Sequence, residues 1–158
     1  MIIRAVFATL LLATAGAAMA EAQVDMTRGD FETQRTRILE ELGGGATYAE
    51  IPTEDRATVT ATLERMSKML ADAGVERIDE LDPTRKTALF NDQERVNTLL
   101  TRAAENSRLV CRREKQTGSN RATTQCLTVA QRIRARERGE AFMGQKTRFR
   151  RSEAFEVD

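Results

Sequence analysis

Two cysteines, Cys111 and Cys126, constrain this chain more than any other feature of it. Fourteen residues separate them, and Gly118-Ser119 stands at the midpoint. A β-hairpin centred on that dipeptide sets the two cysteines directly opposite each other. Glycine at the first central position accepts the positive φ that a II′ turn requires. Val110, Thr123 and Thr124 favour extended backbone on either side. Opposed residues of an antiparallel pair have Cα atoms about 4.5–5.5 Å apart, within reach of a disulfide. A two-residue loop makes the cysteines a hydrogen-bonded pair, and a four-residue loop, Thr117 to Asn120, makes them a non-hydrogen-bonded one. The sequence is compatible with both. Such a bridge stabilises by about 3 kcal/mol through restriction of the unfolded chain.

Other roles for the thiols lack partners. The chain has no histidine. Two thiols alone are too few for a structural metal site, and a catalytic thiol has no imidazole to activate it. The N-terminal residues point the same way. Arg4 precedes an apolar run from Ala5 to Ala18, and Ala18-Met19-Ala20 has the small-residue pattern of a signal-peptidase site. Residues 1–20 therefore read as an export signal, with the mature chain beginning at Glu21. The apolar run is too short to span a bilayer, so no transmembrane segment is expected once it is removed. Export to the periplasm or outside the cell places the cysteines where disulfides persist.

The remainder reads as helical. Apolar residues recur at intervals of three and four, and Trp is absent. Thr27 to Leu42 predicts a first helix with Phe31, Ile38 and Leu42 on one face, ended by Gly43-Gly44-Gly45. That glycine triplet lacks the Gly-Lys-Ser/Thr of a phosphate-cradling loop. Thr53 as N-cap, Glu54 and Asp55 in the first turn, and a stripe of Val59, Leu63, Met66, Leu70 and Ala73 predict a second helix, stopped by Gly74. Val75 to Leu81 is a connector with room for one helical turn. Asp82-Pro83 opens a third helix, to about Ser107, with Leu89, Val96, Leu100 and Ala103 as its seam and Phe90 and Leu99 beside it. Asn91-Asp92-Gln93-Glu94 is a capping-box pattern inside that span and marks a candidate kink.

Beyond the hairpin, Thr128-Val129-Ala130-Gln131 is a further capping box. The helix it starts is expected to reach Phe142 or Met143. Its arginines at 132, 134, 136 and 138 spread around the helix instead of lining one face. From Gly144 the chain is basic with little periodicity, and residues 144–158 read as a mobile tail. The expected fold is mainly α: one small helical domain over residues 21–143 with a disulfide-closed β-hairpin at 109–127.

Charge is uneven. Residues 21–103 carry a net −6 and residues 104–158 a net +6. Mutual attraction of the two halves accounts for much of that. Arg112, Arg113, Lys115 and Arg121 crowd the hairpin. Alternation puts Arg113 and Lys115 on one face and Arg112 on the other.

Leu89-Phe90-Asn91-Asp92-Gln93-Glu94-Arg95-Val96-Asn97, together with Cys111, Arg112, Glu114, Gly118, Ser119 and Cys126, resembles a group of small secreted bacterial proteins that share a C-R-x-E-x-x-x-G-S-x(6)-C pattern near the C-terminus. The resemblance covers residues 85–127. It implies a periplasmic or secreted protein and carries no activity with it.

No catalytic, cofactor-binding or metal-ligating set emerges. The patterns G-x-S-x-G and H-E-x-x-H are absent. Asp79-Glu80, and Asp92 with Glu94, are carboxylate pairs of a kind ordinary in a chain this charged. The expectation is a non-enzymatic module without cofactor, meeting an unidentified protein or envelope component through Arg112, Arg113, Lys115 and Arg121. Its alternative is a polyanion binder, for lipopolysaccharide or phospholipid headgroups, acting through the basic residues from Arg132 to Arg151. Export and the lack of a binding motif argue against nucleic acid.

Overall fold

The computed structural model describes residues 23–28, 30–75, 77–115 and 117–153. The proposed export signal, the cleavage site and the last five residues lie outside them. The order is α1 (Phe31–Gly44), α2 (Thr53–Ala73), a 3₁₀ turn (Ile78–Glu80), α3 (Pro83–Ser107), β1 (Leu109–Lys115), β2 (Ala122–Thr128) and α4 (Val129–Glu153). The fold is mainly α with one disulfide-closed hairpin near the C-terminus, as expected.

The helices follow from their caps and seams. α3 begins where Asp82 accepts from the backbone N–H groups of Thr84 and Arg85, with Pro83 in the first turn. It runs unbroken through Asn91-Asp92, so the box there does not start a new helix, and Gln93 and Asn97 turn their side chains to another segment. α2 spans the expected residues and ends at Gly74, whose φ of 66° lies in the left-handed region that glycine adopts most readily. Its N-cap is Pro52 rather than Thr53 and makes no side-chain bond, which leaves Glu54 and Asp55 to complement the helix dipole. α1 starts later than expected. Asp30 accepts from the N–H groups of Glu32 and Thr33, while the hydroxyl and N–H of Thr27 both turn back onto Asp25. Gly43 and Gly44 stay helical and Gly45 is the C-cap; Arg56 of α2 donates to the carbonyl of Leu42 there.

Two ion pairs fix how α2 and α3 run. Asp55 meets Arg102 at 2.7 Å and Arg65 meets Asp92 at 2.5 Å. As one helix advances ten residues the other retreats ten, so they are antiparallel. Between them lie Val59, Leu63, Met66, Leu70, Leu89, Val96 and Leu100, all buried. α1 adds Phe31, Ile38 and Leu42, and the connectors add Tyr48, Ile51, Ile78 and Leu81.

A segment before α1, turning at Met26-Thr27, closes this core. Val24 and Met26 are buried, and amide side chains hold their backbone. Asn97 accepts from the N–H of Val24 and donates to its carbonyl, both at 2.8 Å. Gln93 accepts from the N–H of Met26 at 2.8 Å, and Gln34 accepts from that of Asp25 at 2.7 Å. These amides satisfy backbone groups that lie outside any helix or sheet.

The hairpin register runs from Leu109↔Thr128 to Lys115↔Ala122 and includes Cys111↔Cys126. The disulfide is formed, with Cα atoms 4.0 Å apart, which is the close, non-hydrogen-bonded kind of pair. The connection, residues 116–121, is longer than either loop expected. Gly118 has a φ of 83°, and within the connection the N–H of Arg121 donates to Ser119 Oγ. α4 does not stop at Phe142 or Met143. It continues through Gly144 to Glu153, since Gln, Lys and Arg are good helix formers and one glycine costs only about 1 kcal/mol.

Candidate functional site

The hairpin and α4 form an arm that meets the helical body at one corner. Thr128 is buried there and reciprocates with Gln131. Thr128 Oγ1 accepts from the N–H of Gln131, and Gln131 Oε1 accepts from the N–H of Thr128, both at 3.1 Å. This is the expected capping box. Arg132 folds back onto the hairpin, with one nitrogen 3.2 Å from Glu114 and another 3.0 Å from the carbonyl of Val110. From Ile133 to Gln145 every residue is exposed.

The structure places Arg112, Arg113, Lys115 and Arg121 on the exposed part of this arm. It brings Arg113 and Lys115 to one face, opposite Thr124 and Ala122. Arg112 shares the other face with Glu114, which Arg132 engages. Arg121 sits in the loop.

Glu50 is the residue that sequence reasoning missed. It lies in the connector between α1 and α2 and joins three elements. Its N–H donates to Ser107 Oγ, at the end of α3, at 2.9 Å. Its carboxylate accepts from Thr128 Oγ1 at 2.7 Å and from Arg134 at 2.8 Å. Those bonds, the one from Arg134 first, hold its carboxyl below the usual glutamate range, against a smaller upward push from burial. No local pattern around Tyr48-Ala49-Glu50 announces this, because every partner is more than fifty residues away in sequence.

The carboxylates considered for acid–base chemistry are placed differently. Arg65 grips Asp92 with two nitrogens, at 2.9 and 2.5 Å. Asp79 lies 3.3 Å from Arg77. A cleft of about 400 Å³ is lined by Met26, Thr27, Asp30, Phe31, Arg77, Ile78 and Asp79. Its Asp30 caps α1, and the hydroxyl of Thr33 keeps that carboxyl ionised below its ordinary range, so it is no proton donor near neutrality. Among the described residues no three His, Cys, Asp or Glu side chains are grouped to hold a metal ion. None of the helices there is long and apolar enough to cross a membrane.

Comparison with known proteins finds no matching family, no matching curated protein and no matching solved structure.

Proposed function

We propose that this protein is exported and works in the periplasm or outside the cell as a small interaction module. It presents the hairpin and the outer length of α4 to a protein or an envelope component. One observation carries the reading: the oxidised hairpin and α4 stand exposed as a unit, attached at the corner where Glu50 meets Thr128 and Arg134. A scaffold that is rigid at its root and bare at its surface suits contact more than chemistry. The disulfide and the signal-like N-terminus support the compartment, and so does the resemblance of residues 85–127 to small secreted bacterial proteins.

A second reading has its own support. Residues 108–153 carry thirteen basic and four acidic side chains, and residues 23–107 carry eleven and seventeen. The fold keeps that division, with the positive charge on the arm and the negative charge on the body. A phosphate-bearing polyanion suits such an arm.

Capture from envelope extracts tests the first reading. The oxidised protein is expected to retain one component that the reduced protein and the Arg113→Ala/Lys115→Ala variant both lose. Equal retention by all three overturns it.

A further inference from the structure

Arg134 and Glu50 are unequally open. The Arg134 side chain is 52% exposed and that of Glu50 only 13%. A ligand reaches the guanidinium but not the carboxylate behind it. The same carboxylate holds the hydroxyl of Thr128, the cap residue of α4. The neighbouring arginines are occupied within the arm: Arg132 by Glu114 and Val110, and Arg136 by Glu140 at 2.7 Å. Arg134 is thus the arginine of this turn that spends its charge on the body.

We infer that Glu50 fills, from inside the molecule, an anion site on α4. A phosphate-bearing lipid surface that engages the arm competes with Glu50 for Arg134, so that binding and release of α4 from the body are coupled. The inference rests on the second reading above. The lipid surface is favoured by charge: the arm is strongly positive and the body is negative, so an anionic surface attracts one and repels the other. Phe142 and Met143, both well exposed, lie further along the same helix. Lipid phosphate offers Arg134 what the carboxylate offers now, an anionic acceptor oxygen, and a headgroup surface offers many at once.

The competition separates two variants that both break the latch. Glu50→Gln frees Arg134, and its affinity for vesicles containing phosphatidylglycerol is expected to rise about threefold, in line with removal of a half-exposed ion pair. Arg134→Gln loosens α4 equally but loses the contact, so its affinity falls to or below that of the unaltered protein. Glu137→Gln makes the same change in net charge on the outer helix, and its affinity is expected to stay within about 1.5-fold. Amide exchange, read in the same samples, is expected to speed up over Thr128–Arg134 in the first two variants and to stay slow over Val59–Leu70. A gain in Glu137→Gln equal to that in Glu50→Gln reduces the effect to net charge and overturns the inference. So does a gain in Arg134→Gln, or a gain for soluble polyphosphate without one for vesicles. If no form binds anionic vesicles at low salt, the polyanion reading falls. If Glu50→Gln leaves the exchange of α4 unchanged, the latch falls, whatever the vesicles show.

Discussion

α3 and α4 are each 25 residues long, and polar side chains begin both, yet only α3 belongs to the core. Leu89, Val96, Leu100 and Ala103 recur on one face of α3 and are buried. Ile133 and Phe142 on α4 are nine residues apart, about half a turn out of phase, and Met143 points a third way. All three are exposed. Every buried hydrophobic side chain among the described residues lies between Val24 and Ala103. Capping and propensity therefore settle that a helix forms, and a seam settles whether it packs. The body is held by apolar burial. The arm is held by a covalent bond, a two-stranded ladder, a capping box and ion pairs.

The largest test of this contrast is a pair of truncations. Leu63→Ala removes a fully buried side chain between α2 and α3 and is expected to cost about 2–5 kcal/mol. Phe142→Ala removes one that is 65% exposed and is expected to cost under about 0.5 kcal/mol. Denaturant melts of both decide it, and similar losses would mean that α4 packs against something in solution.

Reduction of Cys111–Cys126 comes next. The bridge is worth about 3 kcal/mol to the hairpin by chain restriction, and an isolated two-stranded ribbon is marginal in water. Amide protection is expected to fall over residues 109–128 and to persist over 59–70. Equal loss from both would make the disulfide part of the main core.

Within the body, Asn97→Ala is expected to cost about 1–3 kcal/mol by orphaning the N–H and carbonyl of Val24. Limited proteolysis is then expected to cut near residues 23–28 before any helix. An unchanged cleavage pattern would show that the burial of Val24 and Met26 holds the segment without its amide bonds.

Much of this architecture was legible in the sequence because its determinants are local. The stripe of α2, the Asp82-Pro83 start of α3, the Thr128-Gln131 box and the symmetric cysteines each sit within one element. The misses share one cause. Nothing local marks Gln93 and Asn97 as holding another segment, because their partners, Met26 and Val24, lie about seventy residues earlier. Tyr48 and Ile51, in the stretch between the first two helices where no apolar stripe marks them, are core. Glu50 has no neighbour in sequence that marks it out, since its partners are Ser107, Thr128 and Arg134. Of the proposed contact surface, the shared face of Arg113 and Lys115 was legible from strand alternation, whereas the corner where the arm meets the body depends on tertiary contacts alone.

The smallest effect expected sits at that corner and depends on pH. The carboxyl of Glu50 is held below its ordinary value of 4.5 by Arg134 first and by Thr128 second. A depressed folded value contributes stability that is fully present above the unfolded value and is lost as pH falls through the folded one. The latch is therefore intact at neutral pH and opens only on acidification below about 4.5. Arg134 is half exposed, so the contribution is within the range of about 0–1 kcal/mol typical of open pairs. Asp25 and Asp30 are also held low, first by the hydroxyls of Thr27 and Thr33, so these carboxyls before α1 respond to acid as well. Position and a variant separate the sources. Amide exchange over Thr128–Arg134 is expected to accelerate on acidification in the unaltered protein, beyond the intrinsic effect of pH, while Val59–Leu70 stays protected. In Glu50→Gln that extra acceleration is expected to be absent, because the residue no longer titrates. If it persists in the variant, the acid response belongs to Asp25 and Asp30, and the arm would then be sensing the body as a whole instead of the one carboxylate at its root.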